Sequence, residues 1–205
     1  MSPRSFKISS RGQSLIELAM VLPLLFVLGL GVFEFSRTLF AQNTILNMSR
    51  EGANLFSRTV TAPQDIINTL RATASSSLSM TNANSIIYIT RVSGRADGNI
   101  EIIDQYRPNP LGTYTPASRV PTTTAGTGNC TMTTCPAWVN GACSPPAGSR
   151  PLACLKNLNL PQFALASGRT AFVVEVFYLE STIFNKIGNY FSINIKPDIY
   201  AITIF

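Results

Sequence analysis

From Leu18 to Phe33 the chain has no charged residue, and extended to Leu15 and Phe35 the apolar run has 21 residues. As helix it spans about 31 Å at roughly 1.5 Å per residue, matching a bilayer hydrocarbon core of about 30 Å. Beyond it the pattern changes. Leu39, Phe40, Ile45, Leu46, Ala53, Leu55 and Phe56 are interleaved with Arg37, Gln42, Asn43, Asn47 and Arg50, a spacing that fits a helical stripe better than strict alternation. One helix from about Ser14 to about Ser57 is therefore expected, its first half in a membrane and its second half packed on a domain. Pro23 has no amide hydrogen and crowds the preceding turn, which predicts a kink. Gly29 and Gly31 add local softness, but they lack the GxxxG spacing of a helix-pairing motif.

Pro63 suits the first turn of a second, shorter helix with Ile66, Ile67 and Leu70 on one face, ended by the serine run Ser75 to Ser77. The segments SIIYITRV (Ser85 to Val92) and NIEIIDQY (Asn99 to Tyr106) are rich in β-branched and aromatic residues, and the SGRADG connector between them predicts a hairpin. From Arg107 to about Pro151 the composition shifts to Pro, Thr, Gly and Ser with no evident regular element, a length that implies function or bracing in a compact domain. After a short apolar bridge (Leu152 to Leu165), RTAFVVEVFYLE (Arg169 to Glu180) reads as a central strand and IYAITIF (Ile199 to Phe205) as a last one. The expected fold class is α+β: a long N-terminal transmembrane and amphipathic helix on a small antiparallel sheet, with a cysteine-bearing Thr/Pro-rich loop. The organisation reads as a leader (1–12), the helix (13–57), a helix and hairpin (58–106), a disulfide loop (107–154) and C-terminal strands (155–205).

Composition sharpens this picture. Of 205 residues, 45% are hydrophobic and 13% charged, well below the roughly 25% charged of ordinary soluble domains. The net charge of +6 includes Arg4, Lys7 and Arg11, all before Gly12. Removing that leader leaves +3, so the basic balance is no argument for nucleic-acid binding. The same cluster, with no acid beside it, predicts a cytoplasmic N-terminus and export of everything after Phe35. A removed secretory signal is the alternative, but the apolar run exceeds the usual h-region of roughly 7–15 residues and no A-x-A-like site follows. Export would place Cys130, Cys135, Cys143 and Cys154 in an oxidising compartment, where disulfides are the default.

The stretch RGQSLIELAMVLPLLFVLGLGVFEFSRTLFAQ, followed by NMSREGA, resembles the TadE-like family of minor pseudopilins, which belong to the tight-adherence (Tad/Flp, type IVb) pilus systems. The likeness rests on Arg11-Gly12-Gln13, Glu17, Val21-Leu22-Pro23, Glu34-Phe35-Ser36-Arg37 and Arg50-Glu51-Gly52-Ala53. It covers about a fifth of the chain, and the cysteine-bearing loop is not assigned to any motif. The resemblance implies a subunit of pilus assembly and adhesion in the bacterial inner membrane with an exported domain. It implies cutting between Gly12 and Gln13 by a prepilin peptidase, and packing against other Tad pilins, pseudopilins and the assembly platform.

Each motif has a physical rationale and a plainer alternative. Glycine at position 12 lets the backbone approach a protease closely, or is simply a flexible residue at a helix start. Glu17 lies about 7 Å along the helix from Gly12. Its carboxylate either neutralises the new α-amino group of Gln13 on a neighbouring subunit or stays solvated at headgroup level. Glu34 and Arg37 are spaced to pair, or mark where the helix meets water. Arg50 and Glu51 are a contact surface or a solvated helix face. Two disulfides allow three pairings. Cys130–Cys135 with Cys143–Cys154 closes short loops and is the expected set, with a four-thiolate zinc site as the sharper alternative. Arg107, Arg119, Arg150, Lys156 and Arg169 occupy a stretch without acids, fit for an anionic surface polymer or for ordinary solubility. The chain has no histidine, no phosphate loop and no nucleophile elbow, so no catalytic residue, cofactor or resident metal is expected. Asp104 and Glu175 have no partner evident from sequence. An uncleaved single-pass protein whose exported domain binds a ligand or assembly partner is the alternative function.

Overall fold

The apolar run and the amphipathic stripe lie on one helix. In the computed structural model, which describes residues 10–58, 62–75, 78–120, 138–143, 153–155, 165–181 and 198–205, α1 runs Ser10–Arg58 and passes through Pro23 without ending. Side chains are described from Ser14 onward in α1, and not at all in 153–155. The chain divides into two units, Met1–Phe40 and Ala41–Phe205.

In the first unit the described residues are helical, and Leu15, Ile16, Leu18, Leu22, Leu25, Phe26, Val32 and Phe35 are all exposed. This is the helix, among the described residues, long and apolar enough to cross a membrane.

The second unit begins with the remainder of α1, followed by α2 (Pro63–Ser75), β1 (Ser85–Gly94), β2 (Ile100–Tyr106), β3 (Ala142–Cys143), β4 (Ala153–Leu155), β5 (Thr170–Leu179) and β6 (Asp198–Ile204). The strands form an antiparallel sheet in the order β3-β2-β1-β5-β6, with β4 also pairing β2. The fold is α+β. The predicted hairpin is present, and β5 lies between β1 and β6 as the central strand the sequence suggests.

Side-chain alternation sends two residue sets to opposite faces. Ile87, Ile89, Val174, Val176, Ile199 and Ala201 face the helices, where they pack with Ala41, Ile45, Met48 and Ala53 of α1 and Ile66, Ile67 and Leu70 of α2. Each large aliphatic buried here contributes about 1.5–3 kcal/mol. Ser49 Oγ, fully buried, lies 2.7 Å from Thr203 Oγ1 and joins α1 to β6. On the opposite face, Tyr88 and Phe177 pack with Tyr114, Trp138 and Tyr200, while Val92, Ile100, Ile102 and Val173 pack with Val120 and Cys143. The described part of the Pro/Thr-rich segment is therefore a cover for the second sheet face. This corrects the expectation of a stretch without regular structure: β3 lies within it, and residues 107–120 supply core side chains.

A register shift between Arg91 and Val92 pairs Arg91 with Asp104 and Val92 with Ile102. The extra β2 residue reverses the alternation, so Ile102 and Gln105 face the same side while Asp104 comes beside Arg91. Gln64, in the first turn of α2, secures the start of the cover. Its Nε2 donates to the Arg107 carbonyl at 2.6 Å, and its Oε1 accepts the Asn109 amide at 3.2 Å.

Candidate functional site

Gly12 and Gln13 lie in the first turn of α1. Glu17 follows on the same helix and is exposed, as are the apolar residues around it. At the far end of this apolar stretch, Arg37 Nη1 lies 3.9 Å from Glu34 Oε1, and its guanidinium is 6.0 Å from the Phe33 ring centre. Glu34 is only 5% exposed.

The Arg50-Glu51-Gly52-Ala53 element splits into two functions of a helical surface. Arg50 and Glu51 are exposed; Gly52 and Ala53 are buried. A Cβ at position 52 would stand 2.8 Å from Leu70 Cδ1 and 3.2 Å from Val174 Cγ1, so glycine permits the close approach of α1 to α2 and β5. Arg50 and Glu51, with Asn47, Asn54, Arg58, Thr203 and Phe205, line an open groove of about 540 Å³ beside the end of β6. Its lining is mixed in charge.

A buried polar cluster on the covered sheet face had no counterpart in the motif reading. Glu175, fully buried on β5, accepts hydrogen bonds from Ser118 Oγ, from the Arg119 amide at 2.9 Å and from Tyr200 OH at 3.0 Å. Gln105 Nε2 donates to Ser118 Oγ at 2.9 Å and to Thr90 Oγ1 at 3.0 Å. Burial raises the Glu175 carboxyl above the ordinary range, and its hydrogen bonds, with the Val120 amide adding to those of Ser118, Arg119 and Tyr200, pull it only partly back. Burial likewise raises the Tyr200 phenol, with Glu175 adding to the shift. The signal for such a site was present, since a glutamate within VVEVF must point into one buried face. Its partners were not legible. Asp104, equally unassigned from sequence, pairs with Arg91, and its carboxyl is raised by burial against the pull of that guanidinium.

Two of the five cations in the acid-free stretch have internal work. Arg107 stacks 4.1 Å from the Trp138 ring centre and Arg119 4.1 Å from that of Tyr200, contacts worth about 0.5–2 kcal/mol each. Arg150 and Lys156 lie outside the described residues, and Arg169 is exposed. Cys143 is buried and disulfide-bonded. Cys130 and Cys135, and the side chain of Cys154, lie outside the described residues. Among the described residues no group of three or more His, Cys, Asp or Glu side chains is placed to hold a metal.

No curated protein and no solved structure matches the chain. Residues 12–54 match the family described as TadE-like protein. That TadE-like segment, about a fifth of the chain, contains Gly12, Glu17, the Glu34–Arg37 pair and the packed Gly52-Ala53 step.

Proposed function

We propose that the chain is a minor pseudopilin of a Tad-type pilus, a structural subunit rather than an enzyme. The observation that carries this reading is the TadE-like segment at residues 12–54, on which one helix presents an exposed apolar surface with the Glu17 carboxylate near its start. In this reading residues 1–12 stay cytoplasmic and the domain from Ala41 onward is exported, where its cysteines oxidise. A prepilin peptidase cuts between Gly12 and Gln13. The freed α-amino group of Gln13 then meets Glu17 of an adjacent subunit during lateral packing of helices. In a low-dielectric bundle that attraction is strong, although desolvation offsets much of it. The groove at Arg50 and Glu51 gives the exported part a surface for other pilins or the assembly platform.

Mass spectrometry of the membrane-extracted protein tests the reading, in cells with and without the prepilin peptidase. The expected result is a mature N-terminus at Gln13 that requires the peptidase, with part of the protein recovered in sheared pili. A chain that stays full length and wholly in the membrane fraction would support instead an uncleaved single-pass protein with an exported binding domain.

A further inference from the structure

β6 is the last strand in the sheet order and is hydrogen-bonded to β5 on one side. Phe172 and Phe205 exchange both backbone hydrogen bonds, at 2.9 and 3.0 Å. Bonded and non-bonded positions alternate along an antiparallel pair. Ala201 and Thr203, opposite Val176 and Val174, therefore also turn their amides and carbonyls toward β5. Tyr200, Ile202 and Ile204 turn theirs outward. These three N–H and three C=O groups have no backbone partner among the described residues. Edges of this kind are ordinarily blunted by charge, proline or a bulge. From Ile199 to Phe205 the strand has neither charge nor proline, and its register against β5 is unbroken.

On the helix-facing side this edge opens on the groove at Arg50 and Glu51, which Thr203 and Phe205 line from β6. Arg50 and Arg58 outnumber Glu51 there, and Asn54 Oδ1 is buried without a hydrogen-bond partner among the described residues. A strand laid along β6 sends alternate side chains to opposite faces. One set lies beside Tyr200, Ile202 and Ile204; the other lies beside Thr203 and Phe205, on the side of the two arginines. We propose that the outer edge of β6 and this groove form one site for an extended polypeptide segment of a partner subunit, apolar at alternate positions and acidic at a position between them. Main-chain bonds to the β6 edge supply affinity, and Arg50 and Arg58 select the acidic side chain. A second copy fits less well, because its own β6 offers no acid between Ile199 and Phe205 to meet the arginines. That the partner is a subunit rests on the assembly role proposed above.

The test uses the full-length, detergent-solubilised protein and a capped seven-residue peptide in which threonine and valine alternate and the third threonine is replaced by aspartate. At about ten times its dissociation constant, this peptide is expected to slow amide exchange about tenfold at Tyr200, Ile202 and Ile204, read by NMR, and to leave β1 unchanged. No slowing, or equal slowing in β1, would overturn the site. Ile202→Pro removes an outward N–H and none that β5 uses, a position where an edge strand accepts proline; the slowing is expected to disappear. Reversing both cations, Arg50→Glu with Arg58→Glu, is expected to weaken the aspartate peptide about tenfold and to spare the all-threonine version. Equal effects on the two peptides would remove the groove from the site. Slowing that appears without peptide and grows with protein concentration would make a second copy the occupant and overturn the assignment. A chain that keeps its leader yet shows the slowing would count against the pilus reading alone, and cleavage at Gly12 without slowing against the edge site alone.

Discussion

The carboxylate of Glu175 on β5 accepts the backbone amide of Arg119 at 2.9 Å across 56 residues of sequence. Because Ser118 and Tyr200 donate to the same carboxylate, one side chain fastens the cover segment to the central strand. Glu175→Ala strands three donors in a buried site and is expected to cost about 2–3 kcal/mol. Glu175→Gln keeps an acceptor and loses the charge, and is expected to stay within about 1 kcal/mol of wild type at neutral pH. Urea denaturation of the detergent-solubilised protein measures both.

The pH dependence follows from the same burial. Glu175 and Asp104 both have carboxyls raised above their ordinary values, so over the interval above those values the folded chain holds more protons than the unfolded one. Their contribution to stability is complete below the unfolded carboxylate range of about 4 and is lost as pH climbs through the folded values. The urea midpoint is expected to fall across this interval, and Glu175→Gln to flatten the slope. A slope unchanged by that substitution would mean that Glu175 is not among the groups responsible.

Arg91 and Asp104 form an ion pair in which Asp104 is nearly inaccessible and Arg91 is partly exposed. Arg91→Met leaves the acid without its cation and is expected to cost about 2 kcal/mol, below the full value for a wholly buried pair because solvent reaches the arginine. Adding Asp104→Leu is expected to recover most of that loss. A double-mutant cycle showing no coupling would remove the pair from the account of stability.

Gly52 fixes the spacing between α1 and its neighbours. Gly52→Ala gains about 1 kcal/mol of helix propensity but sets a methyl 2.8 Å from Leu70 Cδ1, so the two effects nearly offset if Leu70 can turn. Gly52→Leu has no such escape and is expected to destabilise by about 3 kcal/mol, read as a lower thermal midpoint.

Glu17→Gln is expected to leave leader removal intact and lower recovery in sheared pili at least tenfold, equivalent to about 1.4 kcal/mol. Glu17→Asp should retain part of the function. Wild-type piliation in Glu17→Gln would count against the pairing of Glu17 with a neighbour's amino terminus.

Much of this architecture was legible because its signals are local. The 21-residue apolar run, the stripe from Leu39 to Phe56 and the β-branched segments of β1, β2, β5 and β6 each announce an element by periodicity. β3 and β4 did not, since two and three residues carry no period and exist only through pairing with β2. The parity change in β2 depends on how it registers against β1, which no local pattern encodes. The same holds for Glu175: its burial is implied by its apolar neighbours, but Ser118 and Tyr200 meet it through tertiary structure alone. In the TadE-like segment, sequence distinguished neither the packing role of Gly52 from the exposure of Arg50 nor the buried state of Glu34.

The second half of α1 contributes Ala41, Ile45, Met48 and Ala53 to the interior of the domain. A protease that separates this domain from the apolar run must therefore cut ahead of Ala41 to release a folded product. Cutting after Arg58 would strip away one wall of the core, and what diffuses off would be a substrate for degradation. The window for productive release is the few residues beyond the apolar run, from Ser36 to Phe40.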